Sequence, residues 1–519
     1  MRRTLFSMTA LVLTIAAWGQ TLKITTSSGT KEYSASQVTE NSPATFADGT
    51  TLTVGSDVFT ISDITSMTIG EESSSSTDVE ANTVNIIYNG STATVTMADN
   101  VASYVTAEVS GAHVSITQSD DVDDEITYNL SGSSSDGEFY MSGSYKATVE
   151  LNGLSLANVS PVYSGAAIHI QNGKRIKVKI VEGTTNTLSD AASGSQKGCL
   201  YVKGHVEFAQ KGTLNVVGHV KHGIKTGEYI TLKNATINVT SAVGDGINCN
   251  QYFLMESGTV TISGVGDEGI QCDLDGDSST GETTDHEDED SGNIYLEGGT
   301  LSITNNNGEG IESKGAMTIS GGIITVIAKD DAINSAGDLT ISGGYVYARA
   351  TGNDGIDANG NCYIKGGLVY AIGANSPEVA IDANSEERKQ LYLTGGTLVA
   401  IGGLESGASL TQSCYSTNSW NKNTWYALTV GSDTFAFQTP SSGGSTLVVS
   451  GASQPTLKSD VTVSSGTSIF GGVGYINANV TGGSSVNLST YTGGGGGPGG
   501  GDGPGGGDGP GGGEGPGRH

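Results

Sequence analysis

Acidic and amide side chains return along this sequence in a fixed frame. The residue before a Gly or Ala and the residue after the next Ile read Asp245 and Asn248, Glu268 and Gln271, Glu309 and Glu312, Asp331 and Asn334, then Asp354 and Asp357. Asp382 closes the series, and Asp330 and Asn353 adjoin it. Oxygen donors of this kind suit a hard divalent cation such as Ca2+, which takes roughly six to eight oxygens at about 2.3–2.6 Å. Two ligands on opposite sides of one ion lie about 5 Å apart, close to the spacing of neighbouring strands. Carboxylates stacked at about 4.8 Å repel by roughly 1 kcal/mol in water and more near a protein surface, so the series calls for a cation. The alternative is a row of solvated turn residues that cap the backbone or form an amide ladder.

Other residue types offer less. Tyr347 and Tyr370 fall in one outward column and Tyr363 and Tyr392 in another, and stacked tyrosines suit the apolar faces of sugar rings. Ile323, Ile327, Leu368, Ile372 and Ile401 share the face of Tyr347 and Tyr370, which suggests instead a surface covered by the segment after Leu404 or by a partner. The histidines show no ligand spacing, and no serine nucleophile elbow occurs. A calcium-assisted lyase needs a base beside the metal, and Lys329, next to Asp330 and Asp331, is the best placed, with Lys225 and Lys314 behind it.

The elements that must position these groups follow from the period. The isoleucines at 224, 247, 270, 311, 333, 356 and 381 are separated by 23, 23, 41, 22, 23 and 25 residues, and the 41 contains an 18-residue insert, 273–290. Double glycines at 298, 321, 343, 366 and 395 recur in phase between short alternating stretches. Strands of a few residues, glycine turns and no helical periodicity predict an all-β solenoid, a parallel β-helix with one repeat per coil. Strict alternation sets Asp354 on the side of Ile356, so the acids must sit on turns, where the following glycine permits the bend. Cys249 and Cys272 fall in an inward column of small residues, at a separation that leaves open whether they are bridged. The insert, with nine acidic residues, is either a further ion site or a solvated acidic loop.

The 519 residues include 79 Gly and carry a net charge of −30, which excludes nucleic acid and anionic membrane surfaces as direct partners and favours cations or neutral polymers. Residues 1–19 have the charged, then apolar, then small-residue pattern of a secretory signal, too short to span a bilayer, and no later stretch predicts membrane insertion. The expected order is signal peptide 1–19, a small β module 20–70, a polar linker 71–79, the β-helix 80–404, a β extension or cap 405–492, and a Gly/Pro-rich tail 493–519.

The phrases ITYNLSGSSSDGEFYMSGSYKATVELNGLSL (126–156), QNGKRIKVKIVEGTTNTLSD (171–190) and GTLNVVGHVKHGIKTGEYITLKNATINV (212–239), with the repeats through Asn384, resemble a calcium-associated carbohydrate-binding β-helix family of pectate-lyase-like fold. The resemblance covers about residues 80–404. It implies a right-handed parallel β-helix, secreted or at the cell surface, that binds pectic or cellulosic polysaccharide with Ca2+ on coil turns and no lyase role. The long acidic insert departs from the pattern, as does Val379 where an acid precedes Ala380 elsewhere. A calcium-dependent polysaccharide lyase and a surface scaffold or adhesin without glycan function are the alternatives.

Overall fold

The computed structural model describes residues 12–13, 20–27, 29–34, 38, 44–47, 50–71, 79–274 and 290–493. Residues 1–11, 14–19, 72–78 and 275–289 and those from 494 onward are among the residues outside them. The chain divides into two compact units, Met1–Glu80 and Ala81–His519. In the first, the strands Gly29–Ser34, Gln20–Thr26 and Ile64–Glu71 pair in that order. Leu22, Ile24, Tyr33, Leu52 and Val54 form its core, and Tyr33 Oη donates to Asp57 at 2.8 Å.

The second unit is a parallel β-helix, as the period predicts. One coil runs Ile311–Ser313, Met317–Ile319, Ile323–Ala328, and the next runs Ile333–Ser335, Leu339–Ile341, Tyr345–Ala350. Each strand pairs in parallel with its counterpart: Ile311 with Ile333, Met317 with Leu339, Ile324 with Val346. In each strand alternate residues point inward, so Ile311, Met317, Ile324 and Val326 are buried while Thr318 and Thr325 are half-buried. Burying each such aliphatic side chain contributes about 1.5–3 kcal/mol, repeated coil after coil. The small-residue column is present, Cys249 facing Cys272, then Ser313, Ser335 and Ala358, and all five cysteines of the chain are free and buried.

The glycines act differently from the sequence expectation. Those before the isoleucines do not supply a left-handed bend. Gly355 has no room for a side chain, because a Cβ there would lie 2.6 Å from Ala380 O and 2.9 Å from Ile372 N. The left-handed turn belongs to the second residue of each glycine pair, as at Gly344 and Gly367 with φ of 76° and 77°.

The segment after Leu404 closes the helix. The strand Leu447–Ser450 pairs antiparallel with Thr397–Ile401 and ends the parallel stack. The strands Trp425–Val430, Asp433–Gln438, Gly474–Ser485 and Thr456–Ile469 form a closed four-stranded barrel. Its Tyr426, Leu428, Phe435, Phe437 and Phe470 pack onto Tyr347, Tyr370, Ile372 and Ile401 of the coils.

Candidate functional site

The eleven-stranded sheet carries the acidic series on its outward stripe. Successive coils place Tyr140, His169, Tyr201, Lys225, Asn248, Gln271, Glu312, Asn334 and Asp357 side by side. A bridge between Ile356 and Ile381 continues the stripe to Asp382. One row of side chains thus changes from aromatic, through a single lysine, to amides and carboxylates. The period places these groups in register, and the parallel ladder holds them there.

The acids before Gly or Ala sit on the turns that enter this sheet, and burial makes them unusual. Asp245, Glu268 and Asp331 are 1%, 8% and 3% exposed. Asp245, Asp267 and Glu268 each bring one carboxylate oxygen within 4.8 Å of the other two. Asp245 Oδ2 accepts from Asn248 Nδ2 at 2.6 Å and lies 3.2 Å from His222 Nδ1, whereas Oδ1 is buried without a hydrogen-bond partner. Burial alone pushes the Asp245 carboxyl up, but the hydrogen bond and charge of His222 and the Asn248 amide outweigh it and hold the group low. Glu268 goes the other way: burial, then the charges of Asp245, Asp267 and Glu309, push it up to about 10. Glu309 is raised for the same first reason.

A second acidic group follows along the stripe. Asp331 accepts from Asp354 N at 2.7 Å and from Asn334 Nδ2 at 3.2 Å, Asn334 also donates to Asp357 at 3.3 Å, and Asn353 donates to Asp330 at 2.8 Å. Burial first, and neighbouring carboxylates second, push Asp354 up to about 8 and Asp357 to about 6. Asp382 rises to about 10 through burial and its contact with Glu405, and it also hydrogen-bonds Asp357. Asp331 is raised well above the usual carboxylate range by burial and by the charges of Asp357 and Asp354.

Of the twelve residues expected as ligands, Asp245 and Glu268 converge on a single point, and Asp267, not anticipated, completes their set. The adjoining pair Asp267-Glu268 has the same form as Asp330-Asp331, so the signal for it was present. No other trio of His, Cys, Asp or Glu side chains among the described residues draws together as closely. Asp330, Asp331, Asn334, Asn353, Asp354, Asp357 and Asp382 form a hydrogen-bonded ladder instead. Glu312 is engaged by Gln271 Nε2 at 2.7 Å and by Lys314. Lys329 is exposed and makes no ion pair among the described residues. The proposed ion site in the acidic insert lies outside the described residues.

The sequence pattern of the carbohydrate-binding domain-containing protein family matches residues 122–331 and 290–483, together well over half of the chain. The chain belongs to that family. A solved structure of a polysaccharide lyase-like protein from C. thermocellum, a gadolinium derivative, is also similar, with 18% identity over 60% of this chain and 97% of that one, at a TM-score of 0.36. Nothing about this chain rests on a likeness of that size. No curated protein matches the chain in sequence.

For a carbohydrate-binding family member the exposed aromatic surface is the next question, and the four expected tyrosines divide. Tyr347 and Tyr370 are 3% and 0% exposed under the C-terminal barrel, with Tyr370 Oη donating to Gln438 O at 2.9 Å. They are therefore core residues and not a sugar platform: their face is apolar enough to be covered by the chain itself. Tyr363 and Tyr392 remain half-buried on another face, stacked with ring centroids 5.0 Å apart and planes 10° from parallel, with Lys365 Nζ 4.8 Å from the Tyr363 ring. The two rings stack face to face in adjacent coils, so they present their edges and hydroxyls, with Lys365 alongside, to a polymer lying across them.

Proposed function

We propose that this family member is a secreted, calcium-dependent, non-catalytic binder of polysaccharide, with plant-type glycans such as cellulose or polygalacturonate as its ligands. The observation that carries the calcium reading is Asp245 Oδ1, a buried carboxylate oxygen without a partner beside Asp267 and Glu268. A buried acceptor left unmade costs about 1–3 kcal/mol, more if charged, so the position favours a ligand. The donor set is all oxygen and fits Ca2+ better than softer metals. Asp245, Asp267 and Glu268 would hold the ion, which supplies positive charge to the turn and to any sugar carboxylate or hydroxyl that reaches it.

The protein's own residues do the rest. Asn248 fixes Asp245, the stripe from Gln271 to Asp357 presents amides and acids to a polar polymer, and Tyr363 with Tyr392 offers stacked ring edges and hydroxyls. The charged and apolar pattern of residues 1–19 supports secretion. The test is sedimentation with insoluble cellulose and affinity electrophoresis in polygalacturonate, each with Ca2+ and with EGTA. Binding that EGTA abolishes, without unsaturated product in the supernatant, is expected. Ion-independent binding removes the calcium dependence, unsaturated product makes the chain a lyase, and no binding to any glycan favours a scaffold.

A further inference from the structure

We propose that a cavity lined by Gln196, Lys197, Tyr201, Lys203, Lys225 and Glu228 is a metal-independent subsite for a sugar ring that bears a carboxylate, a uronate. It deepens the glycan-binding reading and rests on it. The cavity holds about 560 Å3, inside the roughly 300–1,000 Å3 of ligand pockets. Three ammonium groups surround one cavity of a chain that has only 24 Lys and Arg against 54 Asp and Glu, so the local field opposes that of the whole molecule.

The charges are available. Glu228, the one acid in the lining, is already engaged by His205 Nδ1 at 2.7 Å. Lys197 and Lys203 are exposed and make no ion pair among the described residues. Lys225 donates to Asn248 and, at 2.8 Å, to Asn250, which also lines the cavity. Its ammonium is thus fixed in the cavity wall, while the exposed Lys197 and Lys203 remain free to close on an anion.

The wall beside the lysines is a preformed ring surface. Tyr201 is half-buried, packed edge-on against His169 at 5.1 Å, and His169 is itself held by Ser164 Oγ at 2.6 Å and Gln171 Oε1 at 3.0 Å. An oriented tyrosine next to lysines gives a uronate both things it needs, a flat apolar contact for the ring and ammonium partners for the carboxylate. Geometry also links the subsite to the acidic turns. Tyr201, Lys225 and Asn248 are consecutive members of the outward stripe, and Asn248 hydrogen-bonds Asp245, so a polymer along the sheet meets the lysines first and the acidic turn one coil later.

The experiment is calorimetric titration of the full chain with trigalacturonate, cellotriose and dextran sulfate in EGTA. The wild type is expected to bind trigalacturonate, and Lys197→Gln with Lys203→Gln to weaken that binding by about tenfold, as loss of charge-assisted contacts predicts. Lys203→Arg should retain it, and an unshifted melting temperature of the double variant reports an intact fold. Equal trigalacturonate binding by wild type and double variant overturns the subsite, as does no binding by the wild type in EGTA. Equal dependence of dextran sulfate on the two lysines overturns the uronate assignment. Failure of calcium to add anything to polygalacturonate binding overturns the proposed function instead and leaves these outcomes readable.

Discussion

The Asp245 and Glu268 carboxyls, one coil apart, lie within 4.8 Å of each other, and Asp245 keeps one buried oxygen without a partner. Such a pair is stable only with a proton or a cation between the two groups. Calcium added to metal-free protein should therefore raise Tm, by about 2.7 kcal/mol of stability when the free ion is about a hundred times Kd. Asp245→Asn with Glu268→Gln should remove most of that gain in scanning calorimetry. A Tm indifferent to both calcium and EGTA would sink the site.

The raised carboxyls fix the sign of the pH dependence. Glu268 and Asp382 titrate at about 10 and Asp354 at about 8 in the folded chain, against about 4 when unfolded. Stability tied to these groups is complete below about pH 4 and is lost as pH rises through 8 to 10, because the folded state holds more protons across that window. In EGTA, urea midpoints should fall from pH 6 to pH 9, where the unfolded chain has already released these protons and the folded chain still holds most of them. With calcium the decline should shrink. A flat profile in EGTA contradicts the burial of these acids.

Tyr370 belongs to the seam between coils and barrel. Tyr370→Phe loses the 2.9 Å bond to Gln438 O and should cost about 0.5–1.5 kcal/mol. Tyr370→Ala should cost about 3–5 kcal/mol, as for large aromatic truncations. Tyr370 is fully buried under the barrel, so the Phe variant should bind glycans as the wild type does. Weakened binding by a stably folded Phe variant would return Tyr370 to the sugar platform.

Tyr363 and Tyr392 carry the opposite expectation. Their rings stack 5.0 Å apart at the surface, so Tyr392→Ala should leave Tm nearly unchanged while lowering affinity for cello-oligosaccharides by up to about tenfold. Retardation in affinity gels reads this directly. Unaltered retardation places the platform elsewhere.

Gly355 tests the coil itself. A methyl there meets Ala380 O at 2.6 Å and Ile372 N at 2.9 Å, both backbone atoms that cannot step aside cheaply. Gly355→Ala should cost about 1–3 kcal/mol in chemical denaturation. A neutral result would mean that the coils breathe enough to admit it.

Much of this protein was legible from residue order. A period near 23 with alternating apolar positions admits one economical solution, a coil per repeat, and the inward columns of Cys249, Cys272, Ser313 and of Ile294, Met317, Leu339 follow from alternation alone. The same frame put Asp245, Glu268, Asp331 and Asp354 on one edge. What it did not contain was depth. The apolar neighbours Ile323, Leu368 and Ile401 already pointed to a cover over Tyr347 and Tyr370, but the barrel that supplies it, folded from residues beyond 404, has no period to read. The trio with Asp267 and the orphaned oxygen of Asp245 likewise depend on side-chain direction at turns, and so does the enclosure of three lysines around Tyr201. Repetition fixes which residues become neighbours, because register is a property of the chain. Burial, and with it the charge each carboxyl can keep, is settled by everything packed around it, and only the tertiary structure supplies that.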